Sequence, residues 1–180
     1  MLLSADQSFL ICIDIQERLL PAIHDGARVQ RNTEILLKAA DKLQIPVLLT
    51  EQYPRGLGAT VAQIRAAAGP AAILEKTHFS ACREDGISKQ IAALERPVAV
   101  VAGVEAHVCV LQTALDLLDA GYRVAVVVDA VSSRHPDSVT VARDRMLASG
   151  ITLVTTEMCI FEWLEDASNP AFKALSGLIK

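Results

Sequence analysis

The feature that most constrains this chain is a rhythm. Short Val- and Ile-rich runs with no polar alternation are interleaved with longer amphipathic stretches from one end to the other. The runs are Phe9–Ile13, Pro46–Thr50, Ala71–Leu74, Val98–Ala102, Val124–Val128 and Ile151–Val154. A strand with one wet face alternates apolar and polar residues, whereas a strand covered on both faces does not, so these runs predict a parallel sheet between two layers of helices. The stretches between them supply the helices. Residues 27–43, 86–94, 107–119 and 137–149 carry apolar residues at helical spacing, and 170–177 reads as a short last helix. Asp137 is placed to cap its helix after Pro136, and Gly121 and Gly150 follow helices where a left-handed cap is wanted. The fold class is therefore α/β: a three-layer α/β/α sandwich with a six-stranded, mostly parallel sheet. A length of 180 residues fits one domain spanning 1–180.

Composition narrows the function. The formal net charge is -4, with both signs interleaved and no dense Lys/Arg cluster, which argues against nucleic acid and against an anionic membrane surface as partners. No apolar stretch approaches the ~18 residues of a membrane span, and residues 1–10 lack the basic start of a signal peptide, so a cytoplasmic location is expected. The cysteines Cys12, Cys82, Cys109 and Cys159 form no CxxC pair, and His24, His78, His107 and His135 are scattered, so no metal site and no disulfide is expected. No glycine-rich phosphate motif and no GxSxG elbow is present, so no dinucleotide cofactor and no serine nucleophile is expected.

In sheets of this kind the ligand site lies beyond the carboxyl ends of the strands, where strand order reverses. Three residues at such ends have chemistry to offer: Asp14, Lys76 and Cys109. Cys109 stands where the fourth strand turns into its helix. Unpaired N–H groups and the helix dipole there predict a lowered thiol pKa. Asp14 can accept the thiol proton and Lys76 can stabilise the sulfur, which together are the parts acyl transfer requires. Spacing alone equally allows an ordinary Asp14–Lys76 ion pair beside a buried thiol.

At these residues the chain resembles the isochorismatase-like cysteine hydrolases over nearly its whole length. The resemblance lies in Leu10–Gln16, Glu75–Ser80, Val128–Arg134 and, most specifically, Gly103–Val110, which reads Gly-Val-Glu-Ala-His-Val-Cys-Val. Thr50–Pro54 and Gly56–Gly58 look like the isochorismatase-domain branch of unassigned substrate. The resemblance implies a Rossmann-like isochorismatase fold, a catalytic triad of Asp14, Lys76 and Cys109, and a homo-oligomer. It also implies a cis peptide between Val104 and Glu105 and an oxyanion hole from the backbone N–H groups of Glu105 and Cys109. Gln16, Gln52, Tyr53, Phe79 and His107 are the candidates for substrate contacts, while Asp129 and Ser132–Arg134 are expected to brace the sheet edge and the subunit contact. Nicotinamidases of the family hold a metal through an Asp/His cluster after the second strand; Thr50–Pro54 has no histidine, so neither metal nor cofactor is implied here.

The expected activity is a cysteine hydrolase cleaving a small amide or related C–N bond through a thioester. The alternatives are a vinyl-ether or isochorismate-type hydrolase and a catalytically silent binding or scaffold member. One geometric demand follows from a strand order of 3-2-1-4-5-6. Lys76 would leave the sheet two strands away from Asp14 and would have to be carried back.

Overall fold

A computed structural model describes residues 1–179. Its sheet contains β1 (Ser8–Ile13), β2 (Val47–Gln52), β3 (Ala72–Lys76), β4 (Val98–Val104), β5 (Arg123–Ser132) and β6 (Thr152–Val154). The order is β3-β2-β1-β4-β5-β6, and every neighbouring pair is parallel. The helices are α1 (Gly26–Lys42), α2 (Pro54–Leu57), α3 (Ala62–Ala68), α4 (Asp85–Ala93), α5 (Leu111–Asp119), α6 (Pro136–Ala148), α7 (Thr156–Leu164) and α8 (Phe172–Ser176). Among the described residues no helix is long and apolar enough to cross a membrane.

Alternate residues of each strand serve opposite layers. Leu10 and Cys12 of β1, Val98 and Val100 of β4, and Ala125 and Val127 of β5 pack with Val29 and Leu36 of α1, Ile64 of α3, Ile160 and Trp163 of α7 and Leu175 of α8. Phe9, Ile11 and Ile13 of β1, Ala99 and Val101 of β4, and Val124 and Val126 of β5 face the other way. They pack with Ile87 and Ile91 of α4, Leu111, Ala114 and Leu117 of α5, and Met146 of α6. The central strands β1 and β4 are buried on both faces, which is why their runs show no polar alternation, while the edge strand β3 is partly exposed. Each fully buried Val, Leu or Ile contributes about 1.5–3 kcal/mol against the entropy of ordering the chain.

The strands run further than their apolar runs. β4 continues to Val104, and β5 continues through Asp129 to Ser132, across a register shift between Val101 and Gly103. Asp129 is therefore inside a strand, with Oδ1 accepting from the Thr156 N–H at 2.8 Å and the Thr156 hydroxyl at 2.9 Å. Its carbonyl accepts from Asn32 Nδ2 at 2.8 Å, so it braces β5 to both α7 and α1. The helix expected over 107–119 divides into a π-helical turn, Ala106–Val110, and α5. Asp137 is not the cap of α6: His135 holds that position, Pro136 is the first helical residue, and Asp137 lies in the first turn. Gly121 and Gly150 have positive φ, as expected after a helix. The single turn α2 and the longer α3 and α7 have no counterpart in the sequence reading. In α7 the core side carries Cys159, Ile160, Trp163 and Leu164, while Met158 and Phe161 are exposed, so no polar face marks it as amphipathic.

β1 leads to α1 on one face of the sheet, and β4 leads to α5 on the other. The crevice between these diverging connections is the switch point. Asp14 follows β1 directly, and Glu105–Cys109 follow β4 directly.

Candidate active site

The crevice starts from a close approach. Gly103 has φ +117°, and a methyl group on it would stand 2.1 Å from the Ile13 carbonyl oxygen. Only glycine lets β4 lie this near the end of β1. The residue that follows Ile13, Asp14, sits at φ 51° in the left-handed region, which aspartate tolerates better than most residues. Its N–H donates to the Thr50 carbonyl at 3.2 Å, and its Oδ1 accepts from the Thr50 hydroxyl at 2.7 Å.

Lys76, the last residue of β3, reaches this point. Its Nζ lies 2.8 Å from Asp14 Oδ2, and both side chains are fully buried. The ammonium also donates to Gln52 Oε1 at 2.6 Å, the Phe79 carbonyl at 3.0 Å and the His78 carbonyl at 3.3 Å. Asp14 Oδ2 is paired with Lys76 by charge but has no aligned hydrogen-bond donor among the described residues. Cys109 faces the pair, close enough for the charge and hydrogen bonding of both to act on its thiol.

The π-helical turn sets the backbone around the sulfur. The Glu105 carbonyl accepts from the N–H groups of Val108 and Val110, at 3.1 Å each, and skips that of Cys109. Such widened turns inside helices recur at functional sites. The Glu105 N–H has no hydrogen-bond acceptor among the described residues, and the Val104–Glu105 peptide is cis. Residues after β5 fasten this turn: Arg134 Nε donates to Glu105 Oε2 at 2.9 Å, and His107 Nδ1 hydrogen-bonds the Ser133 hydroxyl at 2.9 Å.

Burial dominates the electrostatics. Cys109 is 6% exposed, and its thiol is pushed up to about 12, first by burial and then by the Asp14 charge, with Lys76 pulling the other way. The direction is opposite to the lowered pKa expected from the helix start, because the thiolate loses its water and faces the Asp14 charge. Burial also raises Asp14 above its usual 3.8, while Lys76, Thr50 and Cys109 favour its carboxylate. Burial therefore favours the neutral forms of both Cys109 and Asp14, and Lys76 opposes it at both.

The remaining candidates divide. Gln16 is buried and uses both amide protons on the carbonyls of Gln52 and Gly58, at 3.0 and 2.7 Å, while its Oε1 accepts the Gln52 N–H at 2.8 Å. Gln52 holds Lys76 and, through Nε2, the Thr77 carbonyl at 2.8 Å. His107 is engaged with Ser133. Tyr53 and Phe79, 56% and 54% exposed, are the side chains left open at the surface. Tyr53 is held at φ 39°, its N–H donating to the Lys76 carbonyl at 2.9 Å, with its ring against Gly56, where a methyl would come within 2.6 Å. Sequence reasoning missed Thr50 and the fastening roles of Ser133 and Arg134; the one visible signal was a polar residue closing the apolar run of β2.

The end of β2 does not fit a metal. Glu51 Oε1 accepts from the N–H and hydroxyl of Thr60, at 2.6 and 2.7 Å, and Gln52 is committed to Lys76. Among the described residues no three His, Cys, Asp or Glu side chains converge into a metal-binding group. A hollow of about 730 Å³ between Leu2–Ser4 and α7 contains none of the candidate residues.

A parallel sheet of this order, with helices on both faces and an acid, a lysine and a cysteine gathered at its switch point, defines a doubly wound α/β protein. The family model "Isochorismatase domain" matches residues 8–158, and the chain belongs to that family. It is 39% identical over 178 residues to isochorismatase domain-containing protein 2A of Mus musculus, covering 97% of this chain and 84% of that protein. It is 37% identical over 179 residues to isochorismatase domain-containing protein 1 of Danio rerio, covering 99% of this chain but 62% of that protein's length. Among solved structures, the MAR1 ribonuclease of Caenorhabditis elegans superposes with a TM-score of 0.94 at 36% identity, covering 99% of this chain and 92% of that one. The YcaC gene product of Escherichia coli, described as an octameric hydrolase of unknown specificity, gives 0.94 at 25% identity, covering 99% and 89%.

Proposed function

We propose that this chain is a cysteine hydrolase that cleaves a small amide or related C–N bond through a thioester on Cys109. The observation that carries the reading is the buried carboxylate oxygen Asp14 Oδ2. It is charge-paired with Lys76 at 2.8 Å, lacks an aligned donor among the described residues, and stands beside the thiol. In the proposed mechanism the thiol proton passes to Asp14 as sulfur attacks the carbonyl carbon, while Lys76 stabilises the charge forming on sulfur. The carbonyl oxygen becomes an oxyanion received by the N–H groups of Glu105 and Cys109, each such donor being worth about 3–4 kcal/mol in the transition state. The intermediate collapses, the C–N bond breaks, and Asp14 returns its proton to the departing ammonia or amine. Water then attacks the thioester, giving its proton to Asp14; the acid leaves and the thiol is restored. No cofactor takes part.

The ribonuclease activity in the name of the worm protein belongs to that protein. Here a net charge of -4 works against binding a polyphosphate chain, which favours a small substrate. The test is an amide library screened for ammonia or amine release, with mass spectrometry to trap the acyl adduct. The expected outcome is turnover by the wild type, a mass increment on Cys109, and loss of at least about a thousandfold in Cys109→Ala. Full turnover by that variant would sink the mechanism.

A further inference from the structure

Gln52 takes no direct part in the proposed chemistry, yet it occupies the gap that Lys76 must cross. β2 lies between β3, which carries Lys76, and β1, which leads to Asp14. Gln52 and Lys76 are register partners at the ends of their strands. The amide of Gln52 meets Lys76 Nζ at 2.6 Å, nearer than the carbonyls of Phe79 and His78 or the Asp14 carboxylate. Gln52 is itself fixed at both ends. Its side-chain Nε2 donates to the Thr77 carbonyl, and its backbone N–H and carbonyl are both held by the buried Gln16.

We infer that Gln52 is the positioning residue of this site: it carries the Lys76 ammonium over β2 and, being neutral, leaves the lysine's charge to Asp14 and Cys109. The other three acceptors around the ammonium, one side-chain amide and two backbone carbonyls, are all uncharged. Among the described residues the one anion touching Nζ is Asp14. The charges that act most strongly on Cys109 are those of Asp14, from the end of β1, and Lys76, from the end of β3. A carboxylate at position 52 would neutralise the lysine from the wrong side and leave the sulfur facing a net negative pocket. Gln52 thereby sets how much of the lysine's field reaches the nucleophile, and Gln16 acts one step further back by holding the backbone of Gln52.

The inference rests on the proposed role of Lys76 at Cys109, so its test does not depend on turnover. The full chain is treated with iodoacetamide across a pH series, and alkylation is read on the Cys109 peptide by mass spectrometry, with the partly exposed Cys82 as internal reference. Gln52→Glu is expected to slow Cys109 alkylation about tenfold at neutral pH and to move its profile upward by about one pH unit, because added negative charge disfavours the thiolate. Gln52→Met, which keeps the length and removes the acceptor, is expected to slow it about threefold, a smaller effect because no charge is added. The Cys82 rate should not change. Profiles that superimpose on the wild type in both folded variants would overturn the inference. If neither variant folds, the wild type decides. A slowly exchanging Lys76 ammonium resonance with cross-peaks to the Gln52 amide supports the inference, and its absence overturns it. Altered Cys109 reactivity in a protein that hydrolyses no amide would leave this inference standing while removing the proposed function.

Discussion

Thr50 shows how a single hydroxyl tunes the site. It donates to Asp14 Oδ1 at 2.7 Å inside a fully buried setting, and this bond favours the carboxylate that burial disfavours. Thr50→Val keeps the shape and removes the donor, so the Asp14 pKa moves further up and less carboxylate is present at a given pH. A hydrogen bond to a charged group is worth about 1.5–3 kcal/mol, so kcat/KM is expected to fall about 10–100-fold at neutral pH. The acid limb of its pH profile should move to higher pH, and an unmoved limb would exclude the role. Thr50 was missed in the sequence because a threonine ending an apolar run is common in strands. Its importance comes from the parallel register that sets it opposite Ile13, one residue before Asp14.

At the scale of elements, the site depends on two strand ends brought unusually close. Gly103 is the contact point, with no room for a methyl group beside the Ile13 carbonyl. Gly103→Ala is expected to cost about 3 kcal/mol or more, from overpacking against backbone together with an unfavourable φ. Urea denaturation measures this, and a midpoint unchanged from the wild type would refute it. The turn after β4 and the segment after β5 form a second such unit. Arg134 and Ser133 hold Glu105 and His107, so a segment expected to brace the sheet edge also braces the turn after β4. Its partners lie 29 and 26 residues away, a separation at which no local pattern reports contact.

For the whole molecule, pH stability has two limbs of opposite sign. Glu84 is held down to about 2 by the N–H groups of His78 and Thr77 and by the His78 ring, so it ties the loop whose carbonyls hold Lys76. Its folded value lies below its usual 4.5, so its contribution is complete above that pH and fades as pH falls toward 2. Buried Cys12 is pushed up from 9.0 to about 12 by desolvation, so its contribution is complete below pH 9.0 and fades as pH rises toward 12. Denaturation at about pH 3, 7 and 10 should show Glu84→Gln flattening the acid limb and Cys12→Ala the alkaline one. Limbs identical to the wild type would exclude these groups as their source. By itself the sequence determined the layers, the number of strands, and which strand ends carry an acid, a lysine and a cysteine. Those are matters of burial and period, written residue by residue along each segment. Only the tertiary structure decided that Lys76 reaches Asp14 with Gln52 against its ammonium, that Gln16 and His107 are engaged with the protein itself, and that burial raises the Cys109 thiol. The reason is physical: a hydrogen bond across a strand, or the loss of water around a sulfur, depends on neighbours that the chain supplies from far along its length.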